Sequence, residues 1–398
     1  MKWKNKGHEF DLYIKDFFYN SGREVYIFGC GICGLSLAEK MKSYDCFKGY
    51  IDNDEKKIGQ IVNGKEVISL AEYLDRLKEK KAFVILGVSS KYVQEIEQQL
   101  KECGLCHGKQ YFKSEEFLKN IWPLLLVYEY NEIHIELAQI CLTERCTLKC
   151  KKCAHACHNV DNNASDLSLS ESCKSADAFF AKVDYIQEFV LIGGEPLLYK
   201  ELAKVIEYIG IRYRKQMGIF SITTNGTIVP SNEVLQLCKQ FDVVYRISNY
   251  TKQLPKLKQH HKRLITELER YEISYSLAPV ETEWIDYGFE YINREESENE
   301  MIKVFDMCKT PCREVRGNKY YYCVMARSVS DNLKYGIGKD DYLDLEELCG
   351  ENYKKILFEF ERGYSEKGYL DMCRRCNGKD AKEYPIVAAE QVSRDEKK

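Results

Sequence analysis

Residues 133–153 read IHIELAQICLTERCTLKCKKC, a strand running into a cysteine-rich loop. Ile133, Ile135 and Leu137 start the strand, which ends near Cys141. Cys146, Cys150 and Cys153 follow directly as C-x3-C-x2-C. Thiolates bind iron–sulfur clusters, and a 4Fe–4S cluster takes four ligands. Three in a tight loop leave one iron open, and a small molecule needs such a position to chelate the cluster, much as catalytic zinc keeps a free site. The same loop also suits structural zinc completed by His155, Cys157 or His158.

Downstream the chain alternates between strand and helix. Ser168 and Glu171 form a capping box before a helix through Ala176, Phe179 and Phe180. FVLIGG (189–194), IFSITTNG (219–226), VVYRIS (243–248) and ISYSLAPV (273–280) read as strands, with helices at 201–213 and from Ser231. Repeated β-α units predict an α/β fold with a full or partial TIM-like barrel, its site at the carboxyl ends of the strands. No sixth strand is legible. The second strand ends in Gly193-Gly194-Glu195-Pro196, at the same mouth as the cysteine loop. Glycines let a ligand approach the backbone and a carboxylate can pair with an amino group, although such a stretch can also be only a turn.

Together these residues resemble the radical S-adenosylmethionine (SAM) superfamily, with its C-x3-C-x2-C motif after the first strand of a partial (β/α)6 barrel. The resemblance covers about residues 130–300. It implies that the open iron chelates the amino and carboxylate groups of SAM and that Gly193, Gly194 and Glu195 contact its methionine part. Thr224 and Asn225, and Ser248 with Asn249, match positions lining the SAM and substrate pocket. It further implies reductive SAM cleavage, hydrogen abstraction from an unactivated carbon, and a flavodoxin- or ferredoxin-type electron donor. Lys152 stands where the family often has an aromatic residue. A finer likeness, through TTNGTIVP, RISNY, EWIDYGF and NKYYYC, is to radical SAM proteins associated with surface-glycan and capsule biosynthesis. It implies a sugar or nucleotide-sugar that is oxidised or epimerised. Epimerisation needs a hydrogen-atom donor at the mouth, and Cys157 is the nearest unassigned thiol. A peptide maturase is the alternative within enzymes; a non-catalytic iron–sulfur or zinc nucleotide sensor is the alternative outside them.

A second cluster of cysteines lies late in the chain. Cys308 and Cys312 precede GNKYYYC, which ends in Cys323, and Cys373-x2-Cys376 follows. This resembles a SPASM/twitch auxiliary domain, in its one-cluster twitch form because no cysteine follows Cys376. The resemblance favours Cys308, Cys323, Cys373 and Cys376 as ligands of a second 4Fe–4S cluster, with Cys312 as the alternate to Cys308. A zinc ribbon would use the same pairs.

Before the barrel, EVYIFG (24–29), GYID (49–52) and AFVILGV (82–88) are short apolar strands alternating with helices. Gly29, Gly31 and Gly34 form G-x-G-x-x-G between the first strand and helix, and Asp52 closes the next strand, where an acid can meet a ribose hydroxyl. The segment resembles small Rossmann-like domains, and a nucleotide is a candidate ligand; the glycines also suit tight packing alone. Cys30 and Cys33 read as buried thiols. The expected division is a Rossmann-like domain at 1–125, a partial barrel at 126–300, a small iron–sulfur domain at 301–385, and a tail at 386–398 whose end, QVSRDEKK (391–398), reads as disordered.

Composition bounds the partners. A net charge of −3 with both signs mixed gives no nucleic-acid signal. The longest apolar stretch, Ile121 to Val127, contains Pro123 and is too short to span a bilayer. MKWKNKGHEF has no apolar core of a signal peptide. With 18 cysteines and no export signal, the expectation is a cytoplasmic protein whose thiols bind metal.

Overall fold

The computed structural model describes residues 1–161, 163–164, 166–308 and 310–393. The chain forms two compact units, one of His8–Asn131 and one of Met1–Gly7 with Glu132–Lys398.

The first unit is built on six strands: β1 (Glu24–Phe28), β2 (Phe47–Ile51), β3 (Ile61–Val62), β4 (Lys65–Ile68), β5 (Ala82–Leu86) and β6 (Tyr111–Lys113). They lie in the order β3-β4-β2-β1-β5-β6, with every neighbouring pair parallel except β3–β4. β5 is buried at all five positions, as expected of a central parallel strand covered on both faces. Phe28, Ile51, Val84, Leu86, Tyr73, Leu100 and Tyr111 share one core. The strand order reverses between β1 and β5, and the glycine loop leaves β1 at that point.

The second unit holds β7 (His134–Cys141), β8 (Tyr185–Ile192), β9 (Met217–Thr224), β10 (Val243–Ile247), β11 (Tyr275–Leu277), β12 (Glu283–Ile285), β13 (Arg313–Arg316), β14 (Lys319–Tyr321), β15 (Tyr342–Asp344) and β16 (Pro385–Val387). One sheet runs β11-β10-β9-β8-β7-β13-β14-β15. β7 to β11 are parallel, and helices Leu169–Phe180, Leu202–Tyr213, Asn232–Gln240 and Leu257–Arg270 connect them. Ser168 and Glu171 exchange the two hydrogen bonds of the expected capping box. This order brings the cysteine loop, Gly193-Gly194, Thr224-Asn225 and Ser248 to the carboxyl ends of adjacent strands. The next strand of the sheet comes from the late segment: β13 lies parallel to β7, pairing Arg313 with Ala138, and β14 and β15 follow antiparallel.

The tail, expected to be disordered over 391–398, is instead paired as far as Val392. β16 pairs antiparallel with β12, and Ala388 and Ala389 are fully buried. Gln391 bridges to Cys150. Polar composition suggested a solvated end, but backbone pairing holds it. The last five residues, 394–398, lie outside the described part. Among the described residues no helix is long and apolar enough to cross a membrane.

Candidate active site

The cysteine loop is pinned from two sides. Asp166 accepts from Arg145 Nε at 2.8 Å and Nη2 at 2.6 Å, and from Thr143 Oγ1 at 2.6 Å. The end of β8 lies directly against it, with Gly194 N–H donating to Thr143 O at 2.7 Å and Glu195 N–H to Arg145 O at 2.9 Å. A Cβ on Gly193 or Gly194 would stand 2.4 Å from the carbonyl oxygen of Thr143 or Arg145. Both glycines are therefore required by backbone contact with the loop. Lys152 and Ala156 take left-handed φ of 55° and 52°, folding the loop back on itself.

Each of the three thiols has a hydrogen-bond donor. Leu148 N–H and Asn225 Nδ2 donate to Cys146 Sγ at 3.4 and 3.6 Å, and Gln391 Nε2 donates to Cys150 Sγ at 3.1 Å. The neighbouring Cys157 holds the Cys153 thiol below its ordinary range by hydrogen bonding to it. Burial pushes Cys146 up to about 11 and Cys150 up to about 12. A bound cation removes that penalty, because metal ligands must be thiolates.

Cys146, Cys150 and Cys153 line a cavity of about 470 Å³ together with Gly193, Gly194, Thr224, Asn225 and Ser248. Two of the residues carried over from the superfamily do not line it. Glu195 is fully buried; its Oε1 accepts from Thr224 Oγ1 at 2.8 Å and Leu197 N–H at 3.1 Å, and its Oε2 from Asn225 N–H at 2.9 Å. Asn249 is spent on Ala278 O and on Thr251. Both tie strand ends together. Their partners lie outside the motifs, so the spacing could not show this. Tyr250, Trp284 and Tyr287 also line the cavity and were not assigned from the sequence. Their aromatic types were visible, but only the packing of Tyr250 edge-on to Trp284, 5.3 Å between centroids, places them. Lys152 lines the cavity too, with its ammonium paired to Glu290.

A second cavity, of about 780 Å³, is lined by Cys308, Cys312, Cys323, Cys373 and Cys376. Burial raises Cys323 to about 12, Cys376 to about 11 and Cys373 as well. Charges on Cys308, Cys323 and Cys376 add to that rise at neighbouring thiols, whereas Cys312 answers to burial and to Arg313. Ala154, His155, Ile285 and Tyr287 line both cavities, and buried His155 Nδ1 has no hydrogen-bond partner. Among the described residues, no three His, Cys, Asp or Glu side chains are gathered as one metal ion requires. A four-iron cluster places each thiolate on a different iron, so its ligands stand further apart than those of one zinc. Both cysteine sets fit cluster ligation in residue type and in enclosure. Cys157, considered as a donor at the mouth, is only 3% exposed; it lies behind the loop, against Cys153.

In the first unit, the glycine loop has a partner of its own. Asp52 accepts from Cys30 N–H at 2.8 Å, Asp54 N–H at 2.9 Å and Lys57 Nζ at 3.0 Å. The carboxylate expected to meet a ribose hydroxyl is bonded to the glycine loop. Gly29 has φ of 106°, and a Cβ on Gly34 would stand 1.8 Å from Gly29 O, so both serve packing; a Cβ on Gly31 would meet nothing. Cys30 is buried as expected, but Cys33 is exposed, because the helix turns that face outward.

A family model described as a 4Fe-4S single cluster domain matches residues 139–264. A probable GTP 3',8-cyclase of Methanococcus aeolicus is 31% identical over 96 residues, 24% of this chain and 31% of that protein. A GTP 3',8-cyclase of Syntrophomonas wolfei is 36% identical over 100 residues, 25% and 29% of the two chains. This chain therefore spans less than a third of the length of each curated relative it matches. Among solved structures, BtrN in complex with AdoMet and 2-DOIA is 14% identical, with a TM-score of 0.38 over 66% of this chain and 98% of that one. Streptococcus suis SuiB bound to precursor peptide SuiA is 15% identical, with a TM-score of 0.31 over 55% and 48%. The family-model match takes in Cys146, Cys150 and Cys153.

Proposed function

We propose that Cys146, Cys150 and Cys153 hold a 4Fe–4S cluster at which SAM is cleaved reductively, and that a substrate between this site and an auxiliary cluster gives up hydrogen. One observation carries the reading: the two thiol-lined cavities share a wall formed by Ala154, His155, Ile285 and Tyr287. When bound, the first cluster supplies the electron that splits SAM into methionine and a carbon radical. The protein's task is placement and exclusion of water. Gly193 and Gly194 present bare backbone to the methionine part of SAM. Thr224, Asn225 and Ser248 offer polar groups along the strand ends, and Tyr250 and Trp284 give the cavity an aromatic wall. Cys308, Cys323, Cys373 and Cys376 would hold the auxiliary cluster, which would supply an acceptor for the second electron of an oxidation.

For the substrate, an extended peptide has more support than the nucleotide-sugar expected from the motif set. Among the described residues, β11 is the terminal strand of the sheet, pairs only with β10, and is exposed at all three positions. An open edge beside the site is a template for strand addition by a peptide, which a sugar ring cannot use. The sugar, oxidised or epimerised, is the competing outcome. The reading extends to a partial barrel in the second unit, a Rossmann-like first unit, a flavodoxin- or ferredoxin-type donor, and a cytoplasmic setting that keeps the thiols reduced.

Anaerobic reconstitution tests the core of the proposal. About eight irons per chain are expected, four for each cluster. Replacing Cys146, Cys150 and Cys153 by alanine should remove half the iron and all 5′-deoxyadenosine formation. Replacing Cys373 and Cys376 should remove the other half. Zinc with no iron uptake would sink the corresponding site. Deuterium transfer into 5′-deoxyadenosine from labelled peptides and nucleotide-sugars then decides the substrate class.

A further inference from the structure

The segment 385–392 runs from the auxiliary cysteines, along the wall of the SAM-side cavity, to the cysteine loop. β16 pairs with β12, whose residues line that cavity, and Ala388 N–H donates to Thr282 O at 3.2 Å. Three residues on, the chain closes over the loop itself. Lys151 N–H donates to Glu390 O at 2.6 Å and Val392 N–H to Lys149 O at 2.8 Å, while the Lys151 ammonium meets Glu390 Oε1 at 3.0 Å. Ala389 is held at φ of 55°, a conformation unfavourable for an L-residue with a Cβ. An observed backbone cost of this kind points to a site that depends on the geometry it enforces.

What the geometry enforces is the position of one amide. Gln391 Oε1 accepts from Lys149 N–H at 2.8 Å, which fixes which end of the amide is oxygen. Its Nε2 then has two protons and two acceptors, Ala389 O at 2.8 Å and Cys150 Sγ at 3.1 Å. Every hydrogen-bonding group of the side chain is used, and one N–H is aimed at a proposed cluster ligand.

We propose that Gln391 is a positioning residue that tunes the SAM-binding cluster, with the strand-and-strap 385–392 as its support. The inference rests on the reading of Cys146, Cys150 and Cys153 as ligands. Hydrogen bonds to cluster sulfurs are among the factors that set reduction potential. An N–H donor stabilises the charge that arrives with the added electron, so it makes the cluster easier to reduce. The same bonds fix the loop that presents Cys150, so cluster geometry and reducibility depend on one side chain.

The test uses the full-length chain, reconstituted anaerobically, as wild type, Gln391→Glu and Gln391→Ala. Glutamate keeps an acceptor for Lys149 N–H, and so keeps the strap, but has no N–H for Cys150. Hydrogen exchange at the Lys151 and Val392 amides reports whether the strap is in place. Potentiometric EPR titration follows the cluster whose signal changes on adding SAM. With the strap in place, Gln391→Glu should lower its potential enough to leave about tenfold less reduced cluster at a fixed donor potential, 59 mV for one electron. Gln391→Ala should shift it the same way, and the auxiliary signal should not move in either variant. An unchanged potential in iron-loaded Gln391→Glu overturns the assignment alone. A wild-type loop that takes up no iron overturns the proposed function and this assignment with it.

Discussion

Glu195 shows how far a motif residue can differ from its expected role. It makes three hydrogen bonds as an acceptor, yet complete burial outweighs them and raises its pKa to about 7. An unfolded glutamate titrates near 4.3. The folded form thus holds its proton more tightly, so this contribution to stability is complete below the unfolded pKa and is lost as pH rises through about 7. The shift corresponds to a loss on the order of 3 kcal/mol across that window. Glu195→Gln should abolish this part of the pH dependence. Denaturant unfolding at intervals between pH 4 and 8 measures it. Glu314 and Asp341, also raised to about 7 by burial, contribute equally to both proteins, so the difference isolates residue 195. Parallel slopes for the two proteins would refute the assignment. The sequence puts Glu195 beside the two glycines at the end of the second strand. It could not show where the carboxylate points, because Thr224 and Asn225 come from the next strand.

At the level of elements, helix Val324–Asn332 clamps the cysteine loop through Arg327, 0% exposed. Its Nε donates to Glu314 on β13, and its Nη1 donates to Glu144, two residues before Cys146, at 2.6 Å. Asn332 Nδ2 donates to Glu144 Oε2 at 3.1 Å and His155 O at 2.7 Å, on either side of the three cysteines. Arg327→Met leaves buried Glu314 and partly buried Glu144 without their cation and should cost about 3–5 kcal/mol. Adding Glu314→Gln should recover part of the loss, which a double-mutant cycle by denaturant unfolding would read. The ion pairs of Arg327 also explain why β13 was not legible. REVR carries three charges in four residues, the opposite of a central strand, and Glu314 becomes core only because Arg327 arrives from a later helix. β1, β5, β8 and β9 were legible for the complementary reason, since apolar runs bury themselves without a distant partner. The Ser168–Glu171 cap was legible because its bonds are local.

For the whole molecule, the decisive fact is that His8–Asn131 is a separate unit within a chain that resumes the other at Glu132. Residues 1–7 belong with the later part: Trp3 Nε1 and Gly7 N–H both donate to Glu359 Oε2 at 2.7 Å. Removing 8–131 and joining Gly7 to Glu132 by a flexible linker should leave SAM cleavage intact, as 5′-deoxyadenosine formation would show. Removing 1–7 as well should lower the unfolding midpoint, because buried Glu359 loses two donors. Loss of cleavage in the first deletion, with iron still bound, would mean that the first unit takes part in the chemistry. Finally, the bond from Gln391 to Cys150 spans 241 residues. A ribosome adds about 5–20 residues per second, so roughly 12–48 s separate the emergence of the thiol from that of its cover. During that interval the loop is a nascent chain with its sulfurs uncovered, open to iron delivery and to oxidants alike. The Cys150 thiol is thus made well before the amide that covers it.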